Sequence, residues 1–176
     1  PKPQTPNPNP LLVNSCFKKY IVHMNQPADQ YYWILNHPDY LFWPGRLITQ
    51  NQDQLIVEDF CGNNYSLLKS KAIQSTDVFE NDISDCLELR NLFEGSILHL
   101  IRTRYLSNTI YTSVGHNILI AVNPYQSLYT CSDRMMTECV KENETGARKC
   151  DHVFKLSEYI RGRIINSSVH CSVIFS

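Results

Sequence analysis

Residues 85–125 read DCLELRNLFEGSILHLIRTRYLSNTIYTSVGHNILIAVNPY, and the rest of the chain is organised around them. Leu89, Leu92, Phe93, Ile97, Leu100 and Ile101 recur at helical spacing, which predicts one buried helix face. Ser107-Asn108 punctuates, Thr109–Thr112 reads as a strand, and the chain turns near Gly115. Ile118–Val122 is an uninterrupted apolar run of strand length, which predicts a strand buried on both faces. It stops at Asn123-Pro124, because proline cannot donate to a ladder and biases its predecessor to extended geometry. A buried strand thus delivers an Asn-Pro loop to the edge of the core, where loops commonly bind ligands.

The stretch resembles the start of the myosin motor head. That family reads D-L-x-x-L-x-x-L-x-E-x-x-V-L-H-N-L-K-x-R-Y and then I-Y-T-x-x-G-x-x-L-V-A-V-N-P-Y. Asp85, Leu89, Leu92, Glu94, Ile97, Leu98, His99, Arg104 and Tyr105 match the first part. Ile110, Tyr111, Thr112, Gly115, Leu119, Ala121, Val122, Asn123, Pro124 and Tyr125 follow in gapless register. The departures are Gly95 for the usual Pro, Leu100 for the usual Asn, and Ser113-Val114 beside the glycine. Further on, His152, Val153, Phe154 and Leu156 fit the family's P-H-I-F-A-x-A-x-x-A-Y, with Asp151 for Pro and Arg161 for Tyr. Ser172–Ser176 fits its buried strand S-I-I-V-S.

Upstream, Tyr31–Leu35, Leu41–Thr49, Gln54–Phe60 and Tyr65–Lys69 read as short strands. Turns fall at His37-Pro38-Asp39, Asn51-Gln52-Asp53 and Cys61-Gly62-Asn63-Asn64. Pro44-Gly45 interrupts the second strand, as expected of a bulge or an edge. The spacing predicts a small closed antiparallel barrel. It resembles the Src-homology-like barrel that precedes many myosin heads, with Trp33, Pro38, Gly45 and Leu47 following that pattern. The expected fold is therefore α/β: a small Src-homology-like β-barrel, then the first helices and strands of a P-loop-type motor head. The expected divisions are a Pro-rich arm and lead-in over 1–30, the barrel over 31–75, a linker over 76–84, and the truncated start of the motor domain over 85–176. In the lead-in, Phe17, Tyr20, Ile21 and Met24 sit at helical spacing. Asp82 or Ser84 is a candidate cap for the helix after the linker. Helices are expected over Asp133–Lys141 and Asp151–Ile165, the second capped by Asp151, with a loop over 142–146.

Composition narrows the function classes. Sixteen basic against seventeen acidic residues give a net charge of -1, and no basic footprint marks nucleic acid or anionic membrane. No apolar run approaches the ~20 residues of a membrane helix, and no secretory leader pattern opens the chain. The first residue is Pro1 rather than Met, so the natural start is expected to lie outside this sequence. The seven cysteines lack C-x-x-C spacing and read mostly as small buried hydrophobes. Cys150-x-His152 falls short of a zinc site. Asn64, Asn143 and Asn166 head glycosylation triplets, which need a secretory route that nothing else supports. His152 could be taken for a catalytic base, but no nucleophile or carboxylate partner is visible, and a packed helix-end histidine is the plainer reading.

The resemblance implies that Asn123, Pro124, Tyr125 and Tyr129 line the adenine side of a nucleotide site. The family's loop N-P-x-x-x-x-P-I-Y is two residues longer, so Tyr129 carries over only with the gap placed before it. The resemblance also implies ATP with Mg²⁺, actin filaments and light chains for the full-length motor, and a cytoplasmic, cytoskeletal location. The family's next residues after its buried strand are the phosphate loop G-E-S-G-A-G-K-T. No G-x-x-x-x-G-K-[ST] occurs in residues 1–176. These residues alone are therefore expected neither to hydrolyse ATP nor to bind it. The alternative is a non-catalytic protein-binding module derived from a myosin head; an unrelated small enzyme has only scattered polar residues in its favour.

Overall fold

The computed structural model describes residues 30–75, 83–126, 128, 132–145, 151–166 and 170–174, with the backbone alone for 142–145. The Pro-rich arm, the lead-in, most of the linker and Tyr129 lie outside the described residues. Contacts divide the chain into two compact units, 1–79 and 80–176.

In the first unit, β1 (Tyr31–His37), β2 (Leu41–Gln50), β3 (Gln54–Glu58) and β4 (Asn64–Leu68) form an antiparallel sheet in sequence order. Leu55 and Val57 alternate with Gln54, Ile56 and Glu58, so β3 presents its apolar face inward with period two. Ile34, Leu55 and Val57 form the core cluster, and Trp33 and Trp43 are both 1% exposed. Bulges between Leu35 and His37 and between Leu47 and Thr49 add twist and curl the sheet.

The curled sheet is a half-barrel, which fits the small barrel expected; among the described residues no β1–β4 pairing closes it. β4 pairs with β3, while the outer edge of β1 is taken by a short strap: Trp33 N–H donates to the Ile73 carbonyl (2.9 Å) and Ser75 N–H to that of Tyr31 (2.8 Å). Pro44-Gly45 is not a bulge, since Trp33↔Pro44 and Tyr32↔Gly45 stay in register. Trp33 N–H points to the strap, so Trp33↔Pro44 is a pair without mutual hydrogen bonds, and Pro44's missing donor would face the side where pairing to β3 begins only at Arg46. Gly45 is closely packed: a Cβ there would lie 2.8 Å from Ile34 Cδ1 and 3.0 Å from Val57 Cγ2, so these side chains would have to shift.

In the second unit a 3-10 turn (Cys86–Glu88) leads to α1 (Glu94–Leu106). Asp85 caps that turn by accepting from Leu87 N–H (2.9 Å), while α1 itself starts after Phe93 without a side-chain cap, so Ser84 does not cap it; Asp82, the other cap expected, lies outside the described residues. The helix starts later than the apolar spacing suggested. Leu89 and Phe93 are extended and Leu92 is 58% exposed, because Arg90-Asn91 breaks the run. Leu89 still reaches the core, joining Ile83, Cys86 and Leu100, with Ile97, Val114 and Ile120 packed against them.

The chain continues through β5 (Tyr111–Val114) and β6 (Ile118–Ala121), an antiparallel hairpin turned at Gly115 with φ +66°. β6 is not buried on both faces. Its ladder partner is β5 alone among the described residues, and Ile118 is 58% exposed. α2 (Asp133–Thr145) starts at Ser132, whose Oγ accepts from Met135 N–H. It runs through most of the expected loop because nothing before Gly146 breaks it. α3 (Val153–Asn166) packs on α2. Residues 170–174 are not a buried strand: they carry no ladder, and Ile174 is 88% exposed.

Cys86 and Cys139 are buried as expected of small hydrophobes, but Cys61 is disulfide-bonded at the β3–β4 hairpin and Cys171 is exposed. Among the described residues, no helix is long and apolar enough to cross a membrane.

Candidate functional site

The end of α1 is built by its sequence. Asn108 takes the left-handed conformation (φ +59°), which asparagine tolerates better than most residues. Thr109 N–H then donates to Arg104 O (2.9 Å) and Asn108 N–H to Tyr105 O (3.0 Å), the paired bonds of a Schellman cap. The hairpin follows, and Val122 N–H to Ile110 O (2.9 Å) is its last rung. Beyond it lies the Asn-Pro-Tyr loop. Asn123 Oδ1 accepts from Tyr125 N–H (3.0 Å), an Asx turn, and Tyr125 sits at φ +50° and is 70% exposed. The Tyr105 hydroxyl donates to Pro124 O (3.4 Å), and Gln126 Nε2 to Asn108 Oδ1 (3.1 Å).

Asn123, Pro124 and Tyr125 therefore share one exposed loop at the end of a strand, and Asn123 caps the turn it sits in. Its Oδ1 is engaged, which leaves the amide N–H₂ to offer.

A partly buried polar hub supports this frame, and sequence reading passed over it. Arg104 Nη2 donates to Asp151 Oδ2 (2.8 Å), and its guanidinium also meets Tyr111 O (2.9 Å) and Ile83 O (3.3 Å). Ser113 Oγ donates to Asp151 Oδ1 (2.7 Å), while Asp85 Oδ1 accepts from Gly115 N–H (2.9 Å). Asp151 is thus not the helix cap expected. His152 is: its Nδ1 accepts from Phe154 N–H (3.1 Å), which fixes the ring, and Tyr111 packs against it edge-on at 4.7 Å. This is the packed helix-end histidine. Burial, then the charge of Asp85, pushes the Cys86 thiol up, as suits a packing residue rather than a nucleophile. The hub floors an open groove lined in part by Glu88, His116, Lys155 and Tyr159, and none of the loop residues lines it.

The first unit holds a second polar cluster. Asp59 Oδ1 accepts from Cys61 N–H and Asn63 N–H (both 2.8 Å). Its Oδ2 accepts from Asn63 Nδ2 (2.9 Å) and Tyr65 O–H (3.2 Å) and lies 3.4 Å from His37 Nε2. His37 Nδ1 takes Asp39 N–H (3.2 Å), which assigns the ring proton to Nε2, facing Asp59. Burial works to raise the Asp59 pKa, but hydrogen bonds from Asn63, Cys61 and His37 together outweigh it and hold the carboxyl below its ordinary value. Burial, then the Asp59 charge, raises Tyr65. The cluster ties the β1–β2 turn to the β3–β4 hairpin.

Half-barrel, capped helix and hairpin-borne loop define an α/β protein whose candidate ligand contacts sit on a strand-end loop. The motif in that loop belongs to a wider match: the family of the myosin head (motor domain) covers residues 83–176, and the chain belongs to that family. It is similar to the Myosin-H heavy chain of Dictyostelium discoideum, 27% identical over 94% of this chain and 9% of that protein. It is also similar to unconventional myosin-VI of Homo sapiens, 30% identical over 69% of this chain and 9% of that protein. Myosin-9 of Arabidopsis thaliana is 25% identical over 94% of this chain and 11% of its own length. The chain spans about a tenth of the length of these relatives.

Proposed function

We propose that residues 1–176 are an amino-terminal part of an actin-based, ATP-driven myosin motor. Residues 31–75 are its small barrel, 76–84 a linker, and 85–176 the beginning of the P-loop-type motor domain. Asn123, Pro124, Tyr125 and Tyr129 line the adenine side of the nucleotide site. The observation that carries this reading is the loop itself: inside the family-matched region, a capped helix and a hairpin hold Asn123-Pro124-Tyr125 exposed at a strand end. Asn123 offers its amide N–H₂ to the base or ribose, and the tyrosines offer flat faces for stacking.

Phosphates contribute much of the binding in such sites, through backbone N–H groups and a lysine. Residues 1–176 contain no G-x-x-x-x-G-K-[ST] sequence, and among the described residues no three His, Cys, Asp or Glu side chains converge on a metal. In this reading ATP turnover, Mg²⁺, actin and light chains belong to the full-length motor, working in the cytoplasm on the cytoskeleton. In that motor Asn123→Ala weakens ATP binding. If the substitution changes stability but leaves ATP affinity untouched, Asn123 is only a turn cap and the reading fails.

A further inference from the structure

Past Val122 no ladder holds the described residues of the loop. Tyr125 is 70% exposed, so packing of its ring does not fix it, and its positive φ carries strain for a residue with a side chain. Among the described residues, besides the internal Asn123–Tyr125 bond, two side-chain hydrogen bonds tie the loop to the rest of the unit. Both come from one place. Tyr105, in the last turn of α1, reaches Pro124 O at 3.4 Å, and Asn108, the left-handed residue of its cap, accepts from Gln126 at 3.1 Å. These two hold Pro124 and Gln126 of the Asn123–Gln126 segment, and they are themselves fixed by the Schellman bonds of Thr109 and Asn108.

We infer that the C-terminal turn of α1 is the seat of the base-side loop, and that Tyr105 and Asn108 are positioning residues for the adenine end of the nucleotide. This rests on the reading of Asn123–Tyr125 given above. The seat acts through the Pro124 carbonyl and the Gln126 amide, both on the base-side loop, so its effect falls on the part of the ligand that carries the base. Loosening it lowers affinity for ATP and leaves the affinity for pyrophosphate, which has no base, unchanged.

The test uses the full-length motor with Tyr105→Phe, which removes only the hydroxyl, and separately Gln126→Ala, which cuts the other tether without disturbing the αL cap. KM for ATP should rise roughly two- to tenfold in each, the loss of one neutral hydrogen bond, while kcat and pyrophosphate affinity hold. Asn123→Ala is measured beside them. If Asn123→Ala weakens ATP while both tether variants leave it unchanged, the seat is wrong and the adenine-side reading stands. An equal fall for ATP and pyrophosphate makes the helix end a general structural element and also overturns the inference. If none of the three variants moves ATP affinity, the adenine-side reading fails and the seat fails with it.

Discussion

Asp59 offers the sharpest test of how the first unit is held. Asp59→Ala removes the acceptor of two hairpin N–H groups, the Asn63 amide, the Tyr65 hydroxyl and His37 Nε2. Cys61 and Asn63 are exposed, so water satisfies their donors again at small cost, whereas His37 is 5% exposed and has no such access. Hydrogen bonds to a charged group contribute about 1.5–3 kcal/mol each, but those sharing one carboxylate do not add. The expected loss is therefore about 3 kcal/mol. Asp59→Asn keeps one oxygen for Cys61 and Asn63 N–H and turns a donor toward Tyr65, so about 1–2 kcal/mol is expected. The chain's two tryptophans, Trp33 and Trp43, are both buried in this unit. Urea unfolding followed by tryptophan fluorescence therefore reports on it alone. The pH dependence is a second readout. A carboxylate whose pKa is depressed on folding contributes stability that is fully present above its unfolded value, near 3.8, and is lost as pH falls through the folded value. The wild type should therefore lose stability below about pH 4, and Asp59→Asn should lose less over the same window. A loss under 1 kcal/mol for Asp59→Ala, or an unchanged acid profile for Asp59→Asn, would refute the account of the cluster.

Gly45→Ala should lower the stability of the same unit by about 1–3 kcal/mol in the fluorescence assay, since its Cβ overpacks Ile34 and Val57; a neutral result would mean the sheet yields there freely. Arg104→Ala leaves the mostly buried Asp151 carboxylate without its cation, at a cost of about 2–4 kcal/mol to the second unit. Faster hydrogen exchange across residues 109–122 is the expected signature, and unchanged exchange would remove Arg104 from the hub. Calorimetric titration of residues 1–176 with Mg-ATP should be flat, and micromolar binding would show that the nucleotide groups have been misplaced.

What the sequence made legible depended on local signals. The strands of the half-barrel and the hairpin turn at Gly115 were visible because alternation, glycine and asparagine act over a few residues. Helix α1 was visible but misplaced at its start, since Leu89 and Leu92 imitate helical spacing across the break at Arg90-Asn91. Pro44-Gly45 looked like a bulge because sequence cannot show that Ile34 and Val57 crowd the glycine from two other strands. The Asn123 loop was legible through its motif alone. Its seat was not, because Tyr105, Asn108 and Gln126 meet only after the hairpin has folded back. Arg104 was visible as a motif residue, but its partner Asp151 lies 47 residues on and read as a helix cap.

In the proposed motor the Asn123–Tyr129 segment borders the base of bound ATP. Photolabelling of the full-length motor with an azido-adenine ATP, followed by tryptic mapping, tests it at the residues concerned. Trypsin cuts after Arg104 and Arg134 with no Lys or Arg between them, so the whole loop lies in the single peptide Tyr105–Arg134. Label is expected in that peptide and should be lost under excess unlabelled Mg-ATP. Label confined to other peptides, or label in this one that excess Mg-ATP does not remove, would contradict it.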